Sequence, residues 1–362
     1  MPEVIVIGGG AMGSAAAWAL ARDGRDVHLI ERFGPGHDRG GSHGATRIFR
    51  LVYAEPDYVA LAQRALRMWR ELAAESGETL LTTTGAIDHG LAGPVLGGVT
   101  DVLTARRVPF DVLSPAEARR RWPGMAFGSP VLHQPDGGRL MADTAVRTLQ
   151  RLAAAAGARI SHHRAATGIT VRDDDTVEVG TDDGVLRAPQ VVVAVGSWAP
   201  ALLRGLVHLP AVTVTQEQPA HFTALSVASQ WPSFIHWRSG FDAYGLLTPG
   251  EGVKVGFHGN GPVVDPDRRD FTPAEEGSRM LRDYVRRWLP GLDPDTAAPI
   301  SCLYDNTSSR DFVIDRVGPV TVATGFSGHG FKFVPVIGRI VADLVTGARP
   351  APQRFTLAAH IP

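Results

Sequence analysis

The chain has 362 residues, and its 36 Lys and Arg against 37 Asp and Glu leave a formal net charge of −1. This balance provides no overall field that would recruit nucleic acid or an acidic membrane, so neither is predicted as a partner. With 44% hydrophobic residues at this length, we expect a doubly wound domain joined to a second, catalytic domain. The amino-terminal stretch lacks a basic segment before its first apolar run, and no apolar run approaches ~20 residues, which predicts a cytoplasmic protein.

The first predicted elements, in residues 4–32, are a strand, a glycine turn, a helix and a second strand. The apolar run from Val4 to Ile7 is typical of a parallel strand that is covered on both faces. Gly8, Gly10 and Gly13 follow with the spacing G-x-G-x-x-G, which allows a tight turn, close approach of a pyrophosphate and close packing of the helix. The free N–H groups at the start of that helix are suited to hold the phosphates.

An acid follows the second strand of this unit. Gly24 is expected to end the helix, residues 27–30 form the strand, and Glu31 lies 18 residues after Gly13 (31 − 13). A carboxylate at this place accepts hydrogen bonds from a ribose diol that lacks a 2′-phosphate. Together these elements predict a dinucleotide site, but they do not distinguish NAD from FAD.

The rest of the chain predicts one parallel sheet assembled from distant segments. A glycine-rich loop ends in Arg47 and Arg50 and places positive charge beside the cofactor. Apolar strands are predicted within 191–198 and 320–333, and the second leads through a glycine turn to a helix that ends at Gly347. Further helices are expected over 56–74, 143–156 and 274–288, with alternating strands between 211 and 304, including 253–257.

Two residue types are rare in this chain. The only lysines are Lys254 and Lys332, and the only cysteine is Cys302. A lysine retained among so many arginines can supply a compact ammonium whose pKa shifts readily, although chance would also leave two lysines. A lone cysteine, taken by itself, is typical of a small buried hydrophobe. No metal-ligand spacing is found among the 13 histidines, so no metal is predicted.

Five segments together carry a family resemblance: the glycine cradle, GSHGATRIFR, a tyrosine separated by nine residues from KVGFH, CLY, and ATGFSGHGFKF. In this order, and over nearly the whole chain, they resemble the monomeric sarcosine oxidase family, with the related N-methyltryptophan and pipecolate oxidases. The resemblance implies an α/β fold with a glutathione-reductase-like FAD-binding Rossmann domain and a second, mixed β-sheet substrate domain. It implies an FAD domain from 1–84, 142–211 and 308–362, and a substrate domain from 85–141 and 212–307.

The resemblance also implies roles for individual residues. Cys302 matches the position of covalent attachment to the flavin 8α carbon, and Lys254 matches the lysine that promotes reaction of reduced flavin with O2. Arg50 and Lys332 match the pair that binds the substrate carboxylate. The other implied active-site residues are Arg47 and His43 near the flavin and Tyr244, Tyr304 and His258 around the substrate. The implied cofactor-binding residues are Gly8, Gly10, Gly13, Glu31, Arg32, Ser42, Thr46, Gly196, Gly325, Gly328, Gly330, Phe331 and Lys332.

The implied reaction is oxidation of a secondary amino acid by FAD and O2. For sarcosine the products are glycine, formaldehyde and H2O2. A cyclic or bulkier secondary amino acid (proline, pipecolate or N-methyltryptophan) is an alternative, because Phe257 stands where the family often has tyrosine and the loop before Lys254 looks about one residue shorter. The sequence also leaves open a flavin dehydrogenase with a different electron acceptor, a flavin-binding sensor without turnover, and an NAD-dependent dehydrogenase. The family resemblance favours a monomer.

Overall fold

The computed structural model describes residues 1–174, 176–225 and 231–360. The α-helices are α1 (Ala11–Arg22), α2 (Pro56–Ser76), α3 (Gly93–Ala105), α4 (Pro115–Arg121), α5 (Ala142–Ala155), α6 (Ala199–Leu202), α7 (Glu275–Trp288) and α8 (Val334–Thr346). The strands are β1 (Val4–Ile7), β2 (Val27–Ile30), β3 (Thr46–Phe49), β4 (Leu81–Thr83), β5 (Ala86–His89), β6 (Asp111–Leu113), β7 (Val131–Gln134), β8 (Gly138–Met141), β9 (Arg159–Ser161), β10 (Ala166–Val171), β11 (Val177–Thr181), β12 (Gly184–Ala188), β13 (Gln190–Val193), β14 (Val212–Glu217), β15 (Ala220–Phe222), β16 (Ser233–His236), β17 (Ala243–Thr248), β18 (Gly252–Phe257), β19 (Ala298–Pro299), β20 (Cys302–Thr307), β21 (Val313–Val317) and β22 (Val320–Thr324).

A six-stranded sheet brings together the apolar strands predicted from three distant segments. Its spatial order is β21-β22-β13-β1-β2-β9, and β1 lies parallel between β13 and β2. β22 is parallel to β13, which confirms the predicted parallel assembly. The strands are shorter than the apolar stretches 191–198 and 320–333: β22 ends at Thr324 because Gly325 takes a φ of +70°, which does not continue a strand.

Helix α1 packs closely between this sheet and the last helix, α8. Its buried residues are mostly alanines, and such small side chains let the helix approach its neighbours. A Cβ at Gly338 of α8 would lie only 2.5 Å from the Ala15 carbonyl oxygen. The first and last helices therefore depend on each other for this packing. Helix α8 ends at Gly347, whose φ is +69°, as the sequence predicts.

A mixed eight-stranded sheet, in the order β19-β15-β18-β17-β16-β5-β7-β6, forms the second large layer. Its strands are antiparallel except that β16 and β5 are parallel. Smaller sheets, β3-β8-β4, β10-β11-β12 and β14-β20, complete the fold. Since the six-stranded sheet draws on residues 4–30, 159–161, 190–193 and 313–324, we keep the division into an FAD domain and a substrate domain as a proposal.

The helices that the structure describes include none that is both long enough and apolar enough to cross a membrane.

Candidate active site

A cavity of about 1110 Å³ lies between the carboxyl end of the parallel strands and the eight-stranded sheet. Gly8 and Glu31, which follow β1 and β2, line one end of it. Tyr244 of β17 and Lys254 of β18 line the other. Binding sites in open parallel sheets lie at this edge, beyond the carboxyl ends of the strands.

The glycine turn at the first end leaves no room for larger residues. A Cβ at Gly13 would lie 1.9 Å from the Gly8 carbonyl oxygen, and a Cβ at Gly8 would lie 2.4 Å from the Ala194 carbonyl oxygen. The start of α1 faces the cavity, and Ser42 Oγ accepts a hydrogen bond from the Ala11 N–H at 3.0 Å. The turn is thus held against the end of β13, with the start of α1 facing the cavity.

Glu31 closes the same end of the cavity. Its carboxylate accepts hydrogen bonds from the N–H groups of Gly9 at 2.6 Å and Phe33 at 2.8 Å. Its side chain is nearly buried, and the backbone contacts fix its position at the end of β2. The neighbouring Arg32 points to Asp267, with 2.6 Å between guanidinium and carboxylate, across the cavity rim.

A cluster of cations lies where loop 41–47 meets β18. The buried Lys254 Nζ donates to the Thr46 carbonyl oxygen at 2.7 Å, and Arg47 Nη2 donates to the carbonyl oxygens of Gly41 at 2.9 Å and His43 at 2.7 Å. Burial, and then the Arg47 cation, lower the pKa of Lys254 to about 7. This lysine therefore changes protonation state near neutral pH.

His43 lies beside these cations in a half-buried position. Burial, followed by the charge of Arg47, lowers the pKa of His43 to about 4, so its ring is neutral at neutral pH. Among the described residues, nothing forms a hydrogen bond with its buried Nε2 atom. A buried polar atom of this kind is normally satisfied by a ligand or by water.

Cys302 begins β20 and faces the same loop. Its Sγ lies 3.9 Å from both Arg47 Nη2 and the Gly41 carbonyl oxygen. Arg269 holds the adjoining segments together, because its guanidinium donates to Ser301 Oγ at 2.9 Å and to the Arg39 carbonyl oxygen at 2.8 Å. The thiol is partly exposed to the cavity rather than enclosed in the core.

Two tyrosines and a histidine, Tyr244, Tyr304 and His258, also line the cavity. Burial raises the pKa of the Tyr244 and Tyr304 hydroxyls, so both are neutral. A Cβ at Gly328 would lie 2.2 Å from the Tyr304 ring, so this glycine provides the room that the ring occupies. His258 packs 5.4 Å from the Tyr304 ring centre, and its Nε2 accepts from Arg310 at 3.1 Å.

Arg50 is buried in the cavity wall next to a carboxylate. Its Nη1 lies 3.6 Å from Asp88 Oδ1 and also donates to the Val52 carbonyl oxygen. The guanidinium stands over the Tyr53 ring at 4.6 Å and near the Trp237 ring at 5.7 Å. The residue lines the cavity, so part of its hydrogen-bonding fork faces the space where a ligand would lie.

Lys332 is a buried cation that contacts the hydroxyl of Tyr53. Its Nζ donates to Tyr53 Oη at 2.9 Å and to the His329 carbonyl oxygen at 2.6 Å. Among the described residues these two partners leave a third ammonium hydrogen for a ligand. Burial, and then the Arg50 cation, lower the pKa of Lys332 well below its ordinary value. A bound carboxylate would oppose that change and favour the ammonium form.

The His329 ring continues this set of contacts toward the surface. Its Nε2 lies 2.9 Å from the Arg310 carbonyl oxygen, which can only accept, so Nε2 carries the proton. Burial keeps the pKa of this ring far below its ordinary value, and Nδ1 therefore accepts from Tyr53 Oη at 3.3 Å. The donor and the acceptor are thereby assigned in each hydrogen bond from Lys332 through Tyr53 and the His329 ring to the Arg310 carbonyl oxygen.

Three comparisons place this geometry among known proteins. The model of the family described as FAD dependent oxidoreductase matches residues 3–344. The chain belongs to this family. It is 35% identical to a monomeric sarcosine oxidase of Streptomyces avermitilis, over 97% of this chain and 95% of that protein. It is 32% identical to an N-methyl-L-tryptophan oxidase of Citrobacter koseri, over 96% of both chains.

Solved structures agree with the sequence relatives. NikD, described as an unusual amino acid oxidase essential for nikkomycin biosynthesis, superposes with a TM-score of 0.86 at 27% identity, covering 98% of this chain and 96% of NikD. The predicted α/β FAD-binding fold and the family resemblance are confirmed. The protein is therefore a flavin-dependent oxidoreductase of the type that acts on the CH–NH group of donors.

The residues present fit FAD. A Cβ at Gly10 would lie 3.0 Å from Ser42 Oγ, in the space in front of α1 where a pyrophosphate would approach. Glu31 lies where a ribose diol would follow, and His43 Nε2 provides an unpaired polar atom in the described part of the cavity. The same cavity continues to Cys302 and Lys254, so one elongated ligand can span both ends.

The cavity brings together most of the residues predicted from the sequence. Gly13 does not line it, because it packs on Gly8 below the turn. Gly325 does not line it either, and its N–H donates to the carboxylate of Asp305, a residue that does line the cavity, at 2.8 Å. The predicted residues that do line it are Gly8, Gly10, Glu31, Arg32, Ser42, His43, Thr46, Arg47, Arg50, Gly196, Tyr244, Lys254, His258, Cys302, Tyr304, Gly328, Gly330, Phe331 and Lys332. In the described ranges, no group of three His, Cys, Asp or Glu side chains could hold a metal ion.

Sequence reasoning missed the partners that hold the cations. Asp88, Tyr53 and His329 contact Arg50 or Lys332 directly. Asp88 could have been noticed, since it is an acid that directly follows two apolar residues in a short segment between two glycines. Tyr53 and His329 had no such signal, because nothing in their spacing relates residues 276 positions apart.

We expect Gly13→Ala to abolish stable FAD binding. The added Cβ would force α1 away from the turn, because the atom it meets is a backbone oxygen at 1.9 Å. The flavin content of the purified protein measures the effect. Gly97→Ala is the matched control, since its Cβ meets nothing within 4 Å in α3. Full flavin content in Gly13→Ala would contradict the proposed cradle.

Proposed function

We propose that this FAD-dependent oxidoreductase is an oxidase of secondary, N-methyl amino acids that uses O2 as electron acceptor, with sarcosine as the simplest substrate. The observation that carries the proposal is the pair of buried cations, Arg50 and Lys332, in the wall of the cavity that also contains Lys254. Buried charges are costly unless they are compensated; Asp88 compensates one of these two cations, and the carboxylate of an amino acid would compensate the other.

The carboxylate would bind between Arg50 and Lys332. The two cations lie near the same Tyr53 ring, 4.6 Å and 5.5 Å from its centre. Arg50 can grip two carboxylate oxygens, whereas Lys332 adds a point charge through its remaining hydrogen. Held in this way, the α-carbon of the substrate is oriented toward the centre of the cavity, and the amine toward the neutral hydroxyls of Tyr244 and Tyr304.

When bound, FAD supplies the two-electron oxidant and returns the electrons to O2 as H2O2. The chain contributes position and electrostatics around it. Fixing the substrate removes the entropic cost of a bimolecular encounter. Tyr244, Tyr304 and the unprotonated His258 are neutral, so they add no charge that competes with Arg50 and Lys332 for the carboxylate.

We assign Lys254 to the oxygen step. A fixed ammonium stabilises the negative charge that develops when O2 accepts the first electron, and its effect is larger in a buried site. Its hydrogen bond to the Thr46 carbonyl oxygen holds it at 2.7 Å, and Arg47 lies in the same electrostatic neighbourhood. We also propose that His43 contacts the flavin through its Nε2 atom, which has no hydrogen-bond partner among the described residues.

We assign Cys302 to covalent attachment through an 8α-S-cysteinyl bond. Its thiol opens to the cavity and lies 3.9 Å from the Arg47 guanidinium, within the same cavity as Lys254 and His43. Cys302→Ser is therefore expected to yield protein whose flavin dissociates on acid precipitation. In the unaltered chain the yellow colour should remain with the precipitate. Colour retained by the precipitate of the serine variant would contradict the assignment.

A spectrum of the purified protein tests the function as a whole. Anaerobic sarcosine, N-methyltryptophan, proline and pipecolate are added in turn to the yellow holoprotein, and air is then admitted. Bleaching followed by recovery with one H2O2 per amine supports the oxidase. Bleaching with negligible O2 consumption but rapid dye reduction would indicate a dehydrogenase instead. No bleaching by any of the four amines would overturn the proposal.

A further inference from the structure

Asp88 is a fully buried carboxylate that the reaction outlined above leaves without a role. It lies in β5, behind the cavity wall rather than in it, and is 0% exposed. Its nearest cation is Arg50, with 3.6 Å between Oδ1 and Nη1. Asp88 can therefore act on a ligand without touching it, by holding Arg50 in place and through its own charge.

The hydrogen bonds around Asp88 favour its ionised form. Gln134 Oε1 accepts from the Leu51 N–H at 2.6 Å, which leaves its Nε2 group to donate to Asp88 Oδ2 at 3.0 Å. Trp237 Nε1, which can only donate, lies 2.9 Å from Asp88 Oδ1. A protonated carboxyl would direct its O–H at one of these donors. Although burial raises the pKa of Asp88, two N–H donors and a guanidinium stabilise its anion.

The same contacts hold Arg50 in one position. Trp237 connects the two groups, because its Nε1 donates to Asp88 while its ring lies 5.7 Å from the guanidinium. Gln134 connects Asp88 to the backbone of Leu51, the residue that follows Arg50. One network of contacts thus holds both the guanidinium of Arg50 and the backbone of the residue that follows it.

The charges of Arg50, Lys332 and Asp88 sum to +1 when Lys332 is in the ammonium form that a bound carboxylate favours. Arg50 and Lys332 in its ammonium form contribute +2, and Asp88 contributes −1. Arg50 and Asp88 are the charged groups that act on Lys332. One substrate carboxylate neutralises the set, whereas a second would add an uncompensated negative charge where burial weakens solvent screening.

We propose that Asp88 is a positioning and specificity-determining residue that fixes Arg50 and restricts the site to amino acids with a single carboxylate. The inference rests on the proposed function, since it takes Arg50 and Lys332 as the carboxylate site. It predicts that aminodicarboxylates are poor substrates for this enzyme.

Two thioethers that cannot be oxidised as amines provide the test. (Methylthio)acetate carries one carboxylate, and thiodiacetate carries a second on the otherwise matching arm. Their dissociation constants for the holoprotein are measured from the change in flavin absorbance on titration. For the unaltered protein we expect thiodiacetate to bind more weakly by a factor on the order of ten or more. Equal or tighter binding of thiodiacetate would overturn the inference without reference to any variant.

Asp88→Asn removes one charge with little change in shape. We expect it to shift the ratio of the two dissociation constants toward thiodiacetate by on the order of tenfold. Asp136→Asn is the matched control, because Asp136 pairs with Arg70 at the surface, 2.9 Å away, and should leave the ratio unchanged. A folded, yellow Asp88→Asn protein with the ratio of the unaltered chain would overturn the inference.

Failure of the proposed function has a different signature. In that case neither thioether perturbs the flavin and no secondary amine bleaches it, so both proposals fall. If sarcosine bleaches the flavin and (methylthio)acetate binds, but the ratio does not respond to Asp88→Asn, only the role of Asp88 is overturned.

Discussion

Lys254→Met is expected to slow the oxidation of reduced flavin by O2 by about 10²–10³-fold, which is typical for loss of one fixed stabilising group. The methionine has a similar length and leaves no charge beside the Thr46 carbonyl oxygen, so the developing negative charge on oxygen meets no counter-ion. Reduction of the flavin by substrate should change far less, because Lys254 does not contact the proposed carboxylate site. Stopped-flow measurement of the two half-reactions separates the effects.

The pH dependence of the oxygen step provides a second readout of Lys254. With a pKa of about 7, the ammonium is present below neutral pH and is lost as the pH rises through that value. The oxidation rate constant of the unaltered protein should fall over this range, and that of Lys254→Met should not. Equal slowing of both half-reactions, or a methionine variant that keeps the pH dependence, would contradict a specific role in oxygen activation.

Arg50→Ala is expected to weaken binding of (methylthio)acetate by about 10²-fold or more, because it removes charge-assisted hydrogen bonds and leaves Asp88 buried without its cation. The uncompensated Asp88 charge would then repel the ligand carboxylate. Titration of the flavin absorbance gives the dissociation constant directly. Arg70→Ala, which replaces a surface arginine paired with Asp136, serves as the control.

A double variant separates the two causes of that loss. If the uncompensated Asp88 charge is responsible for part of it, Arg50→Ala with Asp88→Asn should bind more tightly than Arg50→Ala alone. An unchanged affinity in Arg50→Ala would mean that the carboxylate binds elsewhere. A double variant no better than the single one would assign the whole loss to the missing guanidinium.

The cofactor end of the site could be predicted from the sequence because its determinants are local. Gly8, Gly13 and Glu31 lie within one strand-helix-strand unit, and their spacing alone specifies their geometry. The substrate end could be placed only through the family resemblance. Lys254 and Thr46, which are hydrogen-bonded, are 208 residues apart and lie on strands of different sheets.

The interaction of Arg50 with Asp88 could not be predicted, for a related reason. It depends on β5 pairing in parallel with β16, which places Asp88 opposite Ile235 and near Trp237. No periodicity within either strand specifies that register. An acid in an apolar strand can indicate a buried ion pair, but only the assembled sheet identifies its partner.

The contact between Ala15 of α1 and Gly338 of α8 also has a consequence for biosynthesis. The helix that receives the phosphates is made first, yet the surface that supports it is made more than 300 residues later. During translation α1 and the glycine turn would lack this support, as well as the neighbouring strands β13 and β22. The nascent chain therefore lacks part of the packing surface of α1 until α8 has been made.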